Sequence, residues 1–155
     1  MPDPLRATIA IPTYNRADYL RQALASIDQQ AFSRDQFEIL VIDNNSSDHT
    51  KAVVAEFSEC QPAPRYILET KQGLDHGRNR AIDEARGEIL IFADDDIITR
   101  PDWITQMCAP FAGDTDHRVG AVGGEVIPIF PDGLPPWIEE WHAPLAFRHD
   151  CGPLE

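Results

Sequence analysis

The stretch Glu88-Ile-Leu-Ile-Phe-Ala-Asp-Asp-Asp96 decides the fold, because an apolar run ends abruptly in three carboxylates. The run Glu88–Ala93 predicts a buried strand that delivers its carboxyl end to a polar crevice. If the strand continued, alternation would point Asp94 and Asp96 to one face and Asp95 to the other. Two carboxylates on one face, about 7 Å apart at their Cα atoms, could close on one hard cation. The alternative interpretation is that these aspartates cap the next helix or lie solvated in a loop.

Size and composition indicate one acidic domain with a real core. The chain has 155 residues, of which 43% are hydrophobic, and 13 Lys+Arg against 26 Asp+Glu give a net charge of −13. Such a balance argues against a nucleic-acid surface, which needs a basic footprint. The cysteines are odd in number and widely spaced, without a Cys-x-x-Cys pair: Cys60, Cys108 and Cys151. Reduced thiols in the cytoplasm are therefore expected.

No targeting or membrane segment is visible in the sequence. The polar residues Met1–Arg6 lead directly into a strand, so no signal peptide is predicted. No apolar run approaches the roughly 20 residues that span a bilayer. We therefore expect a soluble, cytoplasmic chain or the soluble part of a larger protein.

Four further stretches are predicted strands: Ala7–Ile11, Phe37–Ile42, Arg65–Glu69 and the glycine-interrupted Val119–Ile127. Asn15 is predicted to cap the first helix, whose apolar residues share one face: Leu20, Ala23, Leu24 and Ile27. A second helix is expected over about 49–57. Gly73 opens a third, with one predicted face made of Leu74, Arg78, Ala81, Ile82 and Ala85, and Pro101 begins a fourth that runs to about Phe111.

Strands that alternate with helices predict a mostly parallel, Rossmann-like α/β sheet with helices on both faces. In such sheets ligands bind outside the carboxyl ends of the strands. Three polar clusters follow predicted strands: Pro12–Arg16, Asp43–Asp48 and Asp94–Asp96. We therefore expect these clusters to converge on one site.

The last 28 residues differ in character from residues 1–127, which form the predicted α/β domain. Residues 128–155 are rich in proline and carry the aromatic side chains Phe130, Trp137, Trp141 and Phe147. These aromatics either wall a ligand pocket or cover a sheet edge as ordinary packing. The chain ends in Cys151–Glu155 without a closing element, which suggests that it is truncated and that its acceptor-binding region is incomplete.

Four segments together resemble the family 2 glycosyltransferases. They are, in order, Thr8-Ile-Ala-Ile-Pro-Thr-Tyr-Asn-Arg16, Val41-Ile-Asp-Asn-Asn-Ser-Ser-Asp48, Gly73-Leu-Asp-His-Gly-Arg-Asn-Arg80 and Asp94-Asp-Asp96 followed by Pro101. The resemblance implies the nucleotide-sugar-binding part of the glycosyltransferase A-type fold. It also implies an inverting transferase that moves a sugar from a nucleotide-diphosphate donor, commonly a UDP-sugar, to a saccharide or other acceptor hydroxyl. A divalent cation, Mn²⁺ or Mg²⁺, is implied as cofactor, and peripheral membrane association of the full protein is compatible with the family.

The resemblance also assigns roles to individual residues. The loop formed by Pro12, Thr13, Tyr14, Asn15 and Arg16 would hold the nucleotide, with Tyr14 against the base and ribose. Asp43 would accept a hydrogen bond from the base, and Arg78 would reach the base or the phosphates, unless it is simply an exposed helix arginine. Asp94 and Asp96 would bind the metal, with Asp94 also near the ribose, whereas Asp95 would face the sugar or support the loop.

The general base of the reaction is not apparent in the sequence. In the family it is an acidic residue well downstream of the metal aspartates, and we expect it beyond Glu155. Glu139-Glu140 is a carboxylate pair in a Pro-Pro-Trp-Ile setting that does not match. A downstream histidine is a further metal ligand in some relatives, which makes His142 and His149 candidates.

Two other functions fit parts of the sequence. A haloacid-dehalogenase-like phosphatase also places aspartates after an apolar strand, but its Asp-x-Asp-x-Thr motif does not fit the spacing of Asp94 and Thr99. A non-catalytic nucleotide-binding module would explain the missing base. Truncation explains the same absence.

Overall fold

The computed structural model describes residues 5–130 and 133, and in these residues the sheet has four strands. They are β1 (Ala7–Thr13), β2 (Phe37–Asp43), β3 (Arg65–Leu68) and β4 (Ile89–Phe92), in the spatial order β3-β2-β1-β4. All three neighbouring pairs are parallel, so the predicted parallel sheet and its first four strands are confirmed.

Helices cover both faces of the sheet, as predicted. They are α1 (Ala17–Asp28), α2 (Thr50–Glu56), α3 (Leu74–Glu84) and α4 (Trp103–Ala112). Side chains alternate along a strand, so β1 sends Ile9 and Ile11 to one cluster and Ala10 to another. The larger cluster contains residues of α1, α2 and α4, whereas the smaller one contains Ala81 of α3.

The predicted apolar face of α1 is confirmed, but that of α3 is wrong. Leu20, Ala23, Leu24 and Ile27 are all buried. In α3 the buried residues are Gly77 and Ala81, whereas Leu74 and Ile82 are more than half exposed. A Cβ on Gly77 would lie 3.4 Å from Pro12 Cβ, so small residues rather than large apolar ones form the packed face.

By compactness the chain divides into two units, Met1–Gly113 and Asp114–Glu155. The sheet, its helices and the site described below belong to the first. In the second, the Asp114 carboxylate accepts hydrogen bonds from the backbone N–H groups of Arg118 and Val119. The proposed boundary between residues 127 and 128 stays a prediction.

The predicted fifth strand, Val119–Ile127, is wrong, because these residues have no strand conformation in the structure. Glycine weakens a strand, since it has no side chain to pack and loses the most backbone freedom. A Cβ on Gly120 or Gly123 would meet nothing within 4 Å. Neither the backbone nor its surroundings therefore favour a strand here.

Several predicted features fall outside the described residues: Trp137, Glu139, Glu140, Trp141, His142, Phe147, His149 and Cys151. Their suggested roles stay predictions. In the part of the chain that is described, no helix combines the length and the hydropathy needed to cross a bilayer.

Candidate functional site

The carboxyl edge of the sheet borders a cavity of about 400 Å³ in the first unit. The loops after β1, β2 and β4 and the start of α3 all contribute to its wall, as the topology of a parallel sheet requires. The lining residues are Pro12, Thr13, Tyr14, Arg16, Asn44, Gln72, Gly73, Leu74, Gly77, Asp94, Asp95 and Asp96. Residues from all three predicted polar clusters therefore meet at one site.

The three aspartates differ sharply in exposure. β4 ends at Phe92, yet burial still alternates beyond it, so that Asp95 is buried while Asp94 and Asp96 are exposed. Asp95 accepts a hydrogen bond of 2.7 Å from the Thr13 hydroxyl. Burial raises the pKa of Asp95, as do the neighbouring carboxylates, against the lowering effects of Thr13 and Arg16. The buried aspartate is thus a fixed part of the wall, and its neighbours face the cavity.

Arg16 neutralises part of this negative charge. Its guanidinium lies 3.1 Å from a carboxylate oxygen of Asp95 and 2.8 Å from one of Asp96. Burial lowers the pKa of Arg16, but the hydrogen bond to Asp96 and the charges of both aspartates outweigh it, so the net shift is upward. One guanidinium therefore pairs with two of the three consecutive carboxylates.

Asn15 connects two loops and does not cap α1, contrary to the prediction. Its φ of 53° lies in the left-handed region, and its side-chain oxygen accepts a hydrogen bond from Ser47 N at 2.7 Å. The Ser46 hydroxyl in turn accepts one from Asn15 N. The N–H of Ala17, at the start of α1, donates instead to Asp48, whose carboxylate also accepts from Thr50 N. The loops after β1 and β2 are thus held together at the site.

Asp43 lies at the end of β2, is 2% exposed, and does not line the cavity in the described structure. One carboxylate oxygen accepts from Ser46 N at 2.8 Å and the other from the Tyr66 hydroxyl at 2.6 Å. Burial, followed by the hydrogen bond to Asp43, raises the pKa of Tyr66 to about 12. Tyr66 therefore stays protonated and orients the Asp43 carboxylate. The hydrogen bond that Asp43 would accept from a base stays a prediction.

Arg78 is not brought to the cavity wall. It lies exposed on α3, and the described residues give it no hydrogen bond or ion pair. A contact between the Arg78 side chain and a nucleotide stays a prediction.

Asn44 lines the cavity, and no separate role was predicted for it. Its side-chain amide donates to Lys71 O at 2.7 Å, and its side-chain oxygen accepts from Gly73 N at 2.6 Å. Asn44 thereby fixes the wall that Gln72, Gly73 and Leu74 contribute. The one signal in the sequence was Gly73, whose φ of 139° favours glycine at the turn into α3.

The residues at the site fit a divalent cation only if other groups complete its coordination. Within the described residues, no group of three or more His, Cys, Asp or Glu side chains could hold a metal ion. Asp94 and Asp96 nevertheless offer exposed carboxylates on the wall of one cavity. Mg²⁺ is commonly bound by one or two carboxylates together with substrate phosphates and water, and this donor set suits that arrangement.

The family model of glycosyl transferase family 2 matches residues 8–149. The chain belongs to this family. Glycosyltransferase AglE of Haloferax volcanii is 31% identical over 127 residues, which are 81% of this chain and 41% of that protein. A β-1,3-glucosyltransferase of Campylobacter jejuni, which acts on GalNAc(5)-diNAcBac-PP-undecaprenol, is 39% identical over 93 residues, 59% of this chain and 29% of that protein. The match does not support the phosphatase interpretation.

Two solved glycosyltransferase structures have a similar fold. Staphylococcus aureus TarS 1–349 in complex with UDP-GlcNAc aligns with a TM-score of 0.63 and 26% identity, over 68% of this chain and 30% of that one. A mannosyltransferase of Pyrobaculum calidifontis in complex with GDP-Man and Mn²⁺ aligns with a TM-score of 0.64 and 31% identity. The alignment covers 76% of this chain and 36% of that one. This family 2 chain spans between 26% and 41% of the length of the first curated relatives. The glycosyltransferase A-type fold is confirmed.

Proposed function

We propose that this family 2 chain is the donor-binding part of an inverting glycosyltransferase that uses a UDP-sugar and a divalent cation, Mn²⁺ or Mg²⁺. Residues 1–127 would form the donor-binding domain. One observation carries the proposal: an aromatic ring, a guanidinium and three carboxylates, contributed by Tyr14, Arg16 and Asp94–Asp96, line one cavity at the carboxyl edge of the sheet. Its volume of about 400 Å³ lies in the range of small-molecule sites.

The nucleoside would lie along the loop after β1. Tyr14 is 45% exposed on the cavity wall, so its ring is free to pack against a base and ribose. Asp43 would accept the imide N–H of uracil deeper in the site. Its oxygens already accept from Tyr66 and Ser46, but a carboxylate has about four lone-pair positions and can take a third donor. Asn15 would act indirectly, since it holds this loop to the one after β2.

The diphosphate would lie against the aspartates. Asp94 and Asp96 would hold the cation, which when bound supplies positive charge that stabilises the departing nucleoside diphosphate. Asp95 would support the loop, because it is buried and its two oxygens hold Thr13 and Arg16. Arg16 would offer planar donors to phosphate oxygens, and Arg78 would reach the base or phosphates from α3.

The reaction would be a single displacement at the anomeric carbon. The acceptor oxygen forms a bond to that carbon as the bond to the diphosphate oxygen breaks, and the diphosphate leaves with the electron pair. The proton of the acceptor hydroxyl goes to a general base. The donors bound by TarS and by the P. calidifontis mannosyltransferase support a nucleotide-sugar donor for this chain as well.

Thermal unfolding against a panel of nucleotides tests the proposal. We expect UDP with Mn²⁺ to raise the melting temperature by several degrees, because a ligand that binds only the folded state stabilises it. UDP alone should have a smaller effect. The variant D96A should lose the metal-dependent part of the shift.

The matched control is D83A, which removes one exposed carboxylate from α3 away from the cavity wall. D83A should respond to UDP and Mn²⁺ as the wild type does. A metal response that persists unchanged in D96A would overturn the assignment of Asp96 as a ligand. A wild-type chain that responds to no nucleotide would overturn the proposed function.

A further inference from the structure

The guanidinium of Arg16 bridges Asp95 and Asp96 on the cavity wall. Its two terminal nitrogens lie 3.1 Å from Asp95 Oδ1 and 2.8 Å from Asp96 Oδ2. The same guanidinium lies over the Tyr19 ring, 4.7 Å from its centroid. All three charged side chains line the cavity. Arg16 therefore holds a positive charge where the proposed cation would bind.

A cation bound at Asp96 would compete with the Arg16 guanidinium. Both bind oxygens of the same carboxylate, and their like charges repel at this short distance. Asp95 is better held than Asp96, because the Thr13 hydroxyl binds its other oxygen at 2.7 Å. Asp96 is 43% exposed in its side chain and is the partner that Arg16 can release.

A nucleotide diphosphate offers Arg16 another partner. The Arg16 side chain is 43% exposed and lies just before α1, so it can turn within the cavity. Guanidinium binds phosphate oxygens as well as it binds carboxylates, often through two parallel hydrogen bonds. A diphosphate in the cavity would draw Arg16 away and leave the Asp96 carboxylate free for a cation.

We propose that Arg16 is an internal counter-cation that exchanges Asp96 for the diphosphate of the donor, and thereby makes the metal and the nucleotide bind together. The inference rests on the proposed function and extends it to a positioning residue. It predicts weak metal binding in the absence of nucleotide and strong mutual enhancement of the two ligands. Such coupling is reciprocal: each ligand tightens the other by the same factor.

Arg21, in the first half of α1, provides a matched control. Its guanidinium also bridges two carboxylates, Asp18 at 2.7 Å and Glu56 at 2.9 Å, and it does not line the cavity. The substitutions R16Q and R21Q remove the same charge from a similar pair of contacts. Only R16Q should change metal binding.

The test measures Mn²⁺ binding by the electron paramagnetic resonance signal of free Mn²⁺, with and without saturating UDP. Relative to wild type, we expect R16Q to bind Mn²⁺ alone about tenfold more tightly, and its enhancement by UDP to fall about fivefold, within the usual range of coupling between sites. R21Q should match the wild type. R16K keeps the positive charge and should bind Mn²⁺ alone within about threefold of wild type.

Three outcomes would overturn the inference: R16Q titrates like R21Q, R16K binds Mn²⁺ alone as tightly as R16Q, or wild type and R16Q show equal enhancement by UDP. In each case UDP binding by the wild type with Mn²⁺ would still support the proposed function. If the wild type does not bind UDP even with Mn²⁺, the proposed function itself is wrong.

Discussion

At each end of β1 a threonine hydroxyl donates to a buried carboxylate, but the surroundings of the two carboxylates differ. Near the amino end, the Thr8 hydroxyl donates to the buried carboxylate of Glu38 at 2.9 Å. At the carboxyl end, the Thr13 hydroxyl donates to the buried carboxylate of Asp95 at 2.7 Å. A threonine at each end of β1 thus binds a buried carboxylate.

What differs is how completely each acid is enclosed. Glu38 also accepts from Arg86 N at 2.8 Å and from Arg65 at 2.7 Å, and Gly87 N donates to the same Thr8 hydroxyl. Beside Asp95, two further carboxylates stay exposed on a cavity wall. A buried carboxylate whose oxygens are occupied by donors stabilises the fold. The exposed carboxylates beside Asp95 keep a negative charge that a ligand can neutralise. Glu38 therefore stabilises the sheet, whereas the exposed carboxylates of Asp94 and Asp96 are available to a ligand.

The largest effect is expected at the closed end, from G87A. A Cβ on Gly87 would lie 2.4 Å from the Ala7 carbonyl carbon and 2.5 Å from Thr8 N, and neither backbone atom can yield. We expect the free energy of unfolding to fall by about 3 kcal/mol or more, measured by urea denaturation. G113A, where a Cβ meets nothing within 4 Å, should change it by less than about 0.5 kcal/mol. Equal stabilities would contradict the close approach at Gly87.

The second prediction sets the two ends against each other. E38A removes an acid that three donors share, and it should lower the free energy of unfolding by about 2 kcal/mol with little change in UDP affinity. D96A removes an exposed acid with one partner and should cost less than about 1 kcal/mol, but should abolish the metal-dependent part of UDP binding. Urea denaturation and calorimetric titration measure both quantities. The reverse pattern would break the comparison.

An intermediate effect is expected for N44A, which frees the wall formed by Gln72 and Gly73. The lost hydrogen bonds to Lys71 O and from Gly73 N should lower the free energy of unfolding by about 1 kcal/mol and weaken UDP binding about fivefold. N79A, at an exposed position on α3, is the control and should alter neither value. If N44A binds UDP as tightly as N79A, the wall does not depend on Asn44.

The smallest effect concerns acid stability at the loop beside the site. Burial tends to raise the pKa of Asp48, but hydrogen bonds from Thr50 and from Ala17 N outweigh it, and the net shift is below the ordinary value of 3.8. A carboxyl with a lowered pKa stabilises the fold above its unfolded pKa, and this contribution is lost as the pH falls below 3.8 toward the folded value. D48N should therefore lose less stability than the wild type in that range. If the free energy of unfolding falls with pH at the same rate in D48N and in the wild type, Asp48 makes no such contribution.

Much of the architecture could be predicted from local patterns. The strands follow from apolar runs that end in polar clusters, and parallel strands bring those ends together. The predictions were wrong where contacts between residues distant in sequence determine the local structure. Asn15 resembles a helix cap, yet Ser46 and Ser47 of another loop bind it. The packed face of α3 depends on how closely Gly77 approaches Pro12, and periodicity does not encode this distance.

The convergence of the three polar clusters on one cavity was predicted from the sequence, but the contacts among their residues were not. Strand-end spacing placed the aspartates at the carboxyl edge, and the resemblance pointed to the loop after β1. The pairing of Arg16 with Asp95 and Asp96 joins residues about 80 positions apart, and no local pattern reveals it. For the same reason the part of Asn44 in fixing the Gly73 turn could not be foreseen from the sequence.

The most direct test of the central claim is the anomalous diffraction of Mn²⁺ in crystals of this chain grown with UDP. We predict one strong anomalous peak in the cavity, within coordination distance of the Asp96 carboxylate and of the diphosphate, with the uridine along Tyr14. Crystals that hold UDP with no Mn²⁺ near Asp94 or Asp96, or that hold UDP at another place on the sheet, would contradict the account.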